Sequence, residues 1–401
     1  MKNNVLIISC VFPPEPIVSA QLSRDIAFEL AKESEVVVLS PKPSRPYNFK
    51  LEAGNKIDHS FKHVIVNSFT SPQLSLLGRM RESYSFGKAC QKYIKKNKDK
   101  FDIVYLNAWP IFAQYFIVKT AKKYNIPCIV HVQDIYPESF TNKLKFGVRI
   151  VRKVFLPIDK YILQNAQKII CISENMRQHL NNTRRIELSK MTVVANWQNE
   201  DSFIEFAENN TKEKTTSELF TFMYLGNNGP VAGVDFLITS FAKANIKNSQ
   251  LIIAGGGSKT DDCKQLADKL RITNRVYFIT VPDGRVPETQ AMADVMLLPV
   301  KKGGAMSSIP LKLPAYMFSA KPIIGSLDLE SDTARAIKDA DCGILVKPEN
   351  ESKLIEAMNE IVNWNNDILV QKGKNGFNYA IDNFSKKINL EKVINIILSV
   401  K

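Results

Sequence analysis

The stretch that decides the fold is residues 222–254, FMYLGNNGPVAGVDFLITSFAKANIKNSQLIIA. It contains two short apolar runs, at 222–225 and 251–254, separated by a glycine-rich loop and a segment of helical pattern at 234–244. Short apolar runs bounded by turn residues favour buried strands. A strand, a helix and a second strand in this order predict a parallel β-α-β unit.

The same alternation continues through both halves of the chain. Apolar runs predict strands at 5–9, 36–39, 64–66, 103–106, 128–132 and 168–172, and again at 222–225, 251–254, 276–279, 295–298, 322–324 and 343–346. Helical patterns between them include 19–32, 88–98, 115–123, 234–244, 261–270 and 287–293. Two such series predict an α/β protein with two Rossmann-like, doubly wound parallel sheets that face each other across a cleft.

The predicted domains follow from this pattern and from the polar stretch NEDSFIEFAENNTKEKTTSE. We expect an N-terminal domain at 1–198, a linker at 199–218, a C-terminal domain at 219–378 and a C-terminal helical segment at 379–401. The length of 401 residues agrees with two domains, because single cores stop growing near about 250–300 residues.

Charge is distributed unevenly between the two halves. The formal net charge is +14, and residues 1–200 hold 30 basic and 16 acidic side chains, whereas residues 201–401 hold 24 of each. This asymmetry indicates that the first half meets an anionic partner. Nucleic acid is disfavoured as that partner, because neither a reader motif nor interleaved aromatic residues accompany the charge.

Several classes of protein lack support in the sequence. Six scattered cysteines without a CxxC pair indicate reduced thiols in a cytosolic protein. Neither a stretch of about 20 apolar residues nor a signal-peptide cleavage site is found. Walker and Gly-x-Ser-x-Gly signatures are missing, which leaves ATPase and hydrolase functions without support. Asp339-Ala340-Asp341 is typical of a solvated turn, so we expect no metal site.

Loops after the predicted strands are the candidate binding sites, because open parallel sheets bind ligands there. The first loop contains Glu15, and Ser19 is expected to cap the following helix, whose N-terminus suits a phosphate; an ordinary turn is the alternative. The run 255–257 is three glycines but lacks the remaining residues of a NAD fingerprint. A phosphate cradle or a simple tight turn is expected there.

The best catalytic candidates are His131, Asp134 and Glu138, three ionisable residues within eight positions at the end of the strand predicted at 128–132. Such a cluster at a strand end favours a functional site over a structural one. Lys312 lies just before a helix predicted at 313–319 and could neutralise a phosphate as a point charge. A solvated surface lysine is the alternative.

Four segments together resemble the family-4 glycosyltransferases. They are YLGNNGPVAGVD at 224–235, VVAN at 193–196, ADVMLLP at 293–299 and AKPII at 320–324. The resemblance covers nearly the whole chain in the right order. It implies the GT-B architecture of two facing Rossmann domains, and transfer of a sugar from a nucleotide sugar with retention, without a metal or another cofactor.

The sequence departs from this family at positions that hold the donor. The family's usual Arg and Lys in the first donor loop are Asn227 and Ala232, and its paired glutamates are Ser307 and Ala315. The remaining features, including the loop His-Val-Gln-Asp-x-x-Pro-Glu-Ser at 131–139, resemble a branch of bacterial transferases. That branch handles N-acetylated deoxyhexosamines, such as N-acetyl-L-fucosamine, in O-antigen and capsule assembly.

The resemblance implies a UDP-sugar donor and a polyprenyl-diphosphate-linked glycan acceptor. Lys312, together with helix N-termini near Gly233 and Asp332, would stabilise the leaving UDP. Asp134 or Glu138 would orient or deprotonate the acceptor hydroxyl, and His131 would contact the donor sugar. The expected donor-binding residues are Glu15, Ser19, Gly226, Asn227, Asn228, Gly255, Ser307, Ser308, Pro310, Asp332 and Thr333.

A second class of function stays open because the paired glutamates are missing. The alternative is a catalytically silent sugar-nucleotide-binding protein that docks on a membrane polysaccharide-assembly complex.

Two basic segments, 88–100 and 143–160, carry most of the charge excess. In the second, Leu144, Val148, Val151 and Phe155 share one helical face with basic flanks, and Pro157 is expected to end the helix. This pattern is typical of an interfacial helix on anionic lipid, although an ordinary solvated basic helix would show it too. We expect a cytoplasmic protein, peripheral on the inner face of the cytoplasmic membrane, whose membrane-facing residues are Lys92, Lys95, Lys96, Lys145, Arg149, Arg152 and Lys153.

Overall fold

The computed structural model describes residues 2–45, 60–71, 75–108, 110–138, 147–210, 219–306 and 309–400. The chain forms two compact units. The first consists of Met1–Ala195 and Asn389–Lys401, and the second of Asn196–Ile388. Each unit contains a parallel sheet with helices between most of its successive strands in the described residues, which confirms the α/β class and the two Rossmann-like domains.

The described part of the first unit contains a seven-stranded parallel sheet in the order β3-β2-β1-β4-β5-β6-β7. Ile7 of the central strand pairs with Val38 on one side and Tyr105 on the other. The strands are β1 (Asn4–Ser9), β2 (Glu35–Ser40), β3 (Lys62–Ile65), β4 (Ile103–Ala108), β5 (Cys128–Val132), β6 (Lys168–Cys171) and β7 (Met191–Val193).

The described part of the second unit contains a six-stranded parallel sheet in the order β10-β9-β8-β11-β12-β13. Its strands are β8 (Phe220–Leu225), β9 (Ser249–Ala254), β10 (Val276–Ile279), β11 (Val295–Pro299), β12 (Ile323–Ser326) and β13 (Gly343–Val346). All five residues of β11 are buried, as expected for a strand that is covered by helices on both faces.

Helices connect these strands in chain order. In the first unit they are α1 (Val18–Ala31), α2 (Leu76–Lys96), α3 (Ile111–Lys123), α4 (Val148–Asn165) and α5 (Glu174–Arg184). In the second unit they are α6 (Asp201–Asn209), α7 (Val234–Ala244), α8 (Thr260–Lys269), α9 (Val286–Ala291), α10 (Lys312–Phe318), α11 (Asp332–Asp339), α12 (Glu351–Ile361) and α13 (Asn366–Phe384). The last helix, α14 (Lys386–Leu398), begins in the second unit, and from Asn389 onward it belongs to the first.

Every strand predicted from an apolar run is present, but three local predictions were incomplete or wrong. β7 was not predicted, because three residues are too short to show a periodicity. α2 begins at Leu76 rather than near residue 88, since the Ser75 hydroxyl caps it by accepting from the Gly78 N–H at 3.1 Å.

Pro157 does not end α4, which continues to Asn165. A proline inside a helix costs about 3 kcal/mol. The burial of Ile162 and Leu163 beyond it, each at most 2% exposed, offsets that cost. The stretch expected as a linker contains α6, and residues 211–218 of it lie outside the described residues.

Candidate active site

The strand orders create a switch point in each sheet. In the first sheet the order reverses between β1 and β4, and in the second it reverses between β8 and β11. Ligands of open parallel sheets bind beyond the carboxyl ends of the strands at such points. The candidate binding regions of the two units are therefore the loops after β8 and β11, and those after β1, β4 and β5.

Lys312, the first residue of α10, lies at the switch point of the second sheet. Its ammonium donates a hydrogen bond to the Tyr224 hydroxyl and lies 4.4 Å from the centroid of the Tyr224 ring. Burial lowers the pKa of Lys312 to about 8, and no charge in the described part of the chain offsets this effect. A partly buried cation without a carboxylate partner favours binding of an anion.

Gly226, directly after β8, makes room for this lysine. A Cβ atom at Gly226 would lie 2.4 Å from Cε of Lys312 and 3.1 Å from its Nζ atom. Any side chain at this position would displace the ammonium group, so the glycine and the lysine form one structural unit.

Two tyrosines that the sequence reasoning missed hold the end of β8 in place. Tyr224 donates through its hydroxyl to the carbonyl of Asn227 at 2.7 Å. The Tyr316 hydroxyl, on α10, donates to the Leu225 carbonyl at 2.8 Å and accepts from the Leu225 N–H at 2.9 Å. An aromatic residue in an apolar strand, such as Tyr224, or in an apolar helix, such as Tyr316, is usually a core residue, so no sequence signal distinguishes either tyrosine.

The glycine run after β9 packs against the loop after β8. A Cβ atom at Gly255 would lie 2.6 Å from the Gly226 carbonyl oxygen, and one at Gly257 would lie 2.3 Å from the Asn228 carbonyl oxygen. The Asn228 N–H also donates to the Gly256 carbonyl at 2.8 Å. This close packing explains why a tight turn needs glycine at position 255. A tight turn was one of the two roles expected for this run, and a phosphate cradle was the other.

Asn228 and Thr333 each present an unused polar group. Asn228 is 1% exposed, and its Nδ2 atom has no hydrogen-bond partner within the described ranges. Thr333 is fully buried in the first turn of α11, and its hydroxyl likewise lacks a described partner. Buried polar groups are nearly always satisfied, so such atoms are suited to a ligand.

The other predicted donor-binding residues of the second unit differ in their surroundings. Asp332 forms an ion pair with Arg335 at 3.0 Å. The positive field expected here would come from the N-terminus of α11 and not from this negatively charged side chain. The Pro310 carbonyl accepts from the Leu313 N–H at 3.0 Å at the start of α10. Asn227 is exposed, and Ser307 and Ser308 lie outside the described residues.

In the first unit, the Glu15 carboxylate links two loops through hydrogen bonds from backbone N–H groups. Its carboxylate accepts from the Ser44 and Arg45 N–H groups, both at 2.8 Å, and from the Phe12 N–H at 3.0 Å. It is 6% exposed. These bonds join the loops after β1 and β2 and give Glu15 a structural role, and its expected donor-binding role stays a prediction.

Ser19 does not cap α1, so that prediction was wrong. The N-cap position is Ile17, and no side chain caps the helix. The Ser19 carbonyl accepts from the Asn107 amide at 3.1 Å and from the Ser23 hydroxyl at 2.8 Å. Ser19 therefore contributes its backbone to a polar link between α1 and β4.

His131 lies within β5 and is 1% exposed. Its Nδ1 atom is 2.6 Å from the Tyr105 hydroxyl, and its Nε2 atom has no partner among the residues that the structure describes. Burial lowers the pKa of His131 to about 3. The ring is therefore neutral at physiological pH, and it can exchange a hydrogen bond with a ligand but cannot act as a cationic acid.

Glu138 takes part in a buried ion-pair network that the sequence did not reveal. Arg184, which is fully buried, donates to both Glu138 oxygens at 2.6 and 2.7 Å and to Asp159 at 2.8 Å. Burial would raise the pKa of Glu138, but hydrogen bonds from His179 and Arg184 lower it to about 2. A carboxylate held in this way is a poor base, which leaves Asp134, partly buried after β5, as the candidate for that role.

The predicted membrane-facing residues lie on exposed parts of α2 and α4, except that Lys145 is outside the described residues. Of the apolar stripe expected to face lipid, Leu144 lies outside the described residues, and Val148, Val151 and Phe155 are partly buried. Phe155 packs against Phe112 with ring centroids 5.5 Å apart. A different apolar pair, Ile150 and Val154, is 72% and 51% exposed on α4. Basic residues flank this pair: Arg149, Arg152 and Lys153.

Neither a metal-binding cluster nor a bilayer-spanning helix occurs within the described ranges. No group of three or more His, Cys, Asp or Glu side chains there is arranged to hold a metal ion. No helix in those ranges combines the length and apolar character needed to cross a bilayer.

Comparison with known families identifies the class of protein. The Glycosyltransferase Family 4 profile matches residues 20–201, and the profile of Glycosyl transferases group 1 matches residues 205–378. No curated protein sequence matches the chain. The chain therefore belongs to the glycosyltransferases of GT-B architecture, with a Family 4 domain followed by a group 1 domain.

Solved structures of similar fold agree with this assignment. Sucrose-phosphate synthase from Thermosynechococcus elongatus has a TM-score of 0.74 at 15% identity, with 99% of each chain covered. HepE from Anabaena, solved in complex with UDP, has a TM-score of 0.72 at 15% identity, with both chains fully covered. WaaG, a glycosyltransferase involved in lipopolysaccharide biosynthesis, has a TM-score of 0.67 at 16% identity, covering 98% of this chain and 99% of its own. At these identities the likeness establishes the fold.

Proposed function

We propose that this glycosyltransferase takes its sugar from a UDP-sugar and binds the diphosphate through Lys312. The observation that carries this proposal is the partly buried Lys312 ammonium, whose charge no described residue neutralises. A diphosphate would supply the missing negative charge. During transfer, the same ammonium would stabilise the charge that develops on the departing UDP, an interaction that often dominates catalysis.

Other groups at this switch point support the same ligand. Gly226 leaves space for the lysine, and the Asn228 amide and the Thr333 hydroxyl are buried without described partners. The N-terminus of α7, at Gly233, has no side-chain cap and adds a partial positive charge. UDP is the nucleotide we propose, because HepE, a protein of similar fold, has been solved with UDP.

For the remaining chemistry, we propose transfer with retention and without a metal. Asp134 would orient or deprotonate the acceptor hydroxyl, because Glu138 is held by Arg184. His131 would contact the donor sugar through its Nε2 atom, which has no partner among the described residues. Unchanged turnover in the presence of a chelator is the expected result for a metal-independent enzyme, and loss that Mg²⁺ restores would contradict it.

The sugar and the acceptor are proposed from the sequence resemblance. The donor sugar would be an N-acetylated deoxyhexosamine, such as N-acetyl-L-fucosamine. The acceptor would be a polyprenyl-diphosphate-linked glycan of O-antigen or capsule assembly on the inner face of the cytoplasmic membrane. The fold similarity to WaaG, which acts in lipopolysaccharide biosynthesis, supports a role in surface polysaccharides.

Calorimetry with the full chain tests donor binding. We expect UDP and UDP-sugars to bind more tightly than GDP or dTDP compounds, and Lys312→Ala to lose most of that binding and most activity while it keeps its melting temperature. Preference for another nucleotide would overturn the choice of UDP. Unchanged turnover by the variant would remove Lys312 from the mechanism.

An assay of UDP release separates the enzyme from a silent binding protein. We expect UDP to be released only when the lipid-linked acceptor is present together with the UDP-sugar. Tight UDP-sugar binding without release for any tested lipid-linked acceptor would favour the silent sugar-nucleotide-binding alternative.

A further inference from the structure

Three polar side chains form a row across the switch point of the first sheet. Ser9 of β1 is paired in register with Asn107 of β4, and Asn107 is paired with His131 of β5. Residues paired in this way project from the same face of a sheet. All three lie within the last two residues of their strands. The row is therefore at the carboxyl edge of the sheet, where ligands bind.

Two members of this row are bonded within the protein. The Ser9 hydroxyl donates to the Val11 carbonyl at 2.6 Å, and the Asn107 amide donates to the Ser23 hydroxyl at 2.7 Å. His131 differs, because its Nε2 atom is buried and has no partner within the described ranges. Since buried polar groups are nearly always satisfied, this nitrogen is the atom of the row that is suited to a ligand.

Tyr105, two residues before Asn107 on β4, bonds to the other nitrogen of the His131 ring. Its hydroxyl lies 2.6 Å from Nδ1 and forms no second hydrogen bond in the described part of the chain. Tyr105 is fully buried, so its O–H group has no access to solvent. A buried O–H donor needs an acceptor, and Nδ1 is the one that the structure provides. The phenol therefore donates, and Nδ1 accepts.

This hydrogen bond fixes where the imidazole proton lies. Burial lowers the pKa of His131 to about 3, so the ring is neutral at physiological pH. A neutral imidazole has one N–H donor and one acceptor nitrogen. Because Nδ1 accepts from Tyr105, the proton lies on Nε2. The opposite tautomer would leave both the phenol proton and the Nε2 lone pair without partners in the described residues, and is therefore disfavoured.

We propose that Tyr105 is a positioning residue, which holds His131 in the Nε2–H tautomer so that His131 donates a hydrogen bond to an oxygen atom of the sugar carried by UDP. An Nε2 atom that carries a proton has no lone pair to accept another. His131 is therefore not the base for the acceptor hydroxyl, which leaves that role to Asp134. The inference rests on the proposed function for the identity of the ligand, whereas the tautomer is independent of it.

Nitrogen-15 NMR of the full chain, labelled at histidine, tests the tautomer without any ligand. Protonated and unprotonated ring nitrogens resonate in separate regions of the spectrum. The His131 signals are assigned by their disappearance in His131→Gln, and independently by their shift in Tyr105→Phe. We expect a protonated Nε2 and an unprotonated Nδ1, both unchanged between pH 6 and 8. A proton on Nδ1 anywhere in this range would overturn the inference.

Tyr105→Phe tests the positioning role, because it removes the phenol O–H and keeps the ring. We expect its affinity for UDP-N-acetyl-L-fucosamine to fall at least fivefold and its affinity for UDP to change less than twofold, since UDP lacks the sugar that His131 contacts. Tyr93→Phe is the matched control, because it removes a partly buried phenol on α2 that packs against Phe101. It should change neither affinity by more than twofold.

The two measurements separate the possible failures. Equal weakening of UDP and UDP-sugar by Tyr105→Phe would show a merely structural role and would overturn the inference, as would unchanged binding of both ligands. If the wild type binds no UDP-sugar at all, the proposed function fails, and the sugar contact fails with it. A proton on Nδ1 together with normal UDP-sugar binding would refute this inference and leave the proposed function standing.

Discussion

The ammonium group of Lys312 lies 4.4 Å from the centre of the Tyr224 ring and donates a hydrogen bond to its hydroxyl. The ring also fixes the loop after β8, because the same hydroxyl donates to the Asn227 carbonyl. Tyr224 thus holds the cationic side chain of Lys312, 88 positions away in sequence, at the switch point of the sheet. Burial raises the pKa of Tyr224, so the lysine is the partner that titrates near neutral pH.

UDP affinity should fall as pH rises through about 8. Burial lowers the pKa of Lys312 from its usual 10.5 to about 8, so the ammonium is present below that pH and is lost above it. At pH 9 the free protein would retain the cation in about one tenth of molecules, and Kd should be about tenfold higher than at pH 7. Calorimetry between pH 7 and 9 measures this change. Lys312→Arg keeps its charge and should show a flat profile, and an equal fall in both proteins would refute the assignment.

Gly226→Ala should abolish most UDP binding. The added Cβ atom would lie 2.4 Å from Cε of Lys312 and would push the ammonium out of its position. Gly226 (φ +154°) and Gly284 (φ +75°) both have backbone conformations that strain an alanine, and Gly284→Ala is the matched control because a Cβ atom there meets no atom within 4 Å. We expect at least a tenfold loss of affinity for the first variant and less than a twofold loss for the second. Equal effects would mean that the space beside Lys312 does not matter for the donor.

The strands could be predicted because each is a short apolar run bounded by turn residues, as at 128–132 and 276–279. Elements without such a run were missed or misplaced. β7 has three residues, and α2 begins at a serine cap far upstream of its basic segment. The path of α4 through Pro157 follows from tertiary burial of Ile162, which a local pattern cannot show.

The candidate site was only partly accessible to sequence reasoning. Lys312 was found because a lysine before a helix is a recognisable pattern, whereas its partner Tyr224 resembles any core aromatic residue. Glu138 and Arg184 are 46 positions apart, and only the fold shows that they neutralise each other. The Glu15 carboxylate accepts hydrogen bonds from three backbone N–H groups, and nothing in the sequence around Glu15 indicates these bonds.

Glu138→Gln should reduce stability without reducing turnover. Arg184 is fully buried and donates to both Glu138 oxygens, so loss of that charge leaves the guanidinium with Asp159 as its remaining acidic partner in the described network. Breaking a buried pair typically costs about 3–5 kcal/mol. Asp134→Asn is the comparison, and it should lower kcat at least a hundredfold with an unchanged melting temperature. A large loss of kcat in Glu138→Gln together with normal kcat in Asp134→Asn would make Glu138 the base.

His131→Gln should make the protein less sensitive to mild acid. Burial lowers the pKa of His131 from 6.5 to about 3, so below pH 6.5 the unfolded chain binds a proton that the folded chain does not. Wild-type stability therefore falls by up to about 1.4 kcal/mol per pH unit from this residue alone. Between pH 7 and pH 5 the wild type should lose about 2 kcal/mol more than the variant in urea unfolding. Identical losses would show that His131 is not buried as a neutral ring.

Ile150→Glu combined with Val154→Glu should weaken binding to anionic vesicles at least tenfold. These two side chains are 72% and 51% exposed on α4 between basic residues, which is the arrangement of an interfacial helix. Val370→Glu is the control, because Val370 is 59% exposed in the half of the chain, residues 201–401, where basic and acidic residues are equal in number. Co-sedimentation at several salt concentrations and lipid compositions measures the effect, and wild-type binding should fall as salt rises or anionic lipid decreases. Vesicle binding that changes with neither salt concentration nor anionic lipid content, or an equal loss of binding in the control variant, would mean that this face of α4 does not contact the membrane.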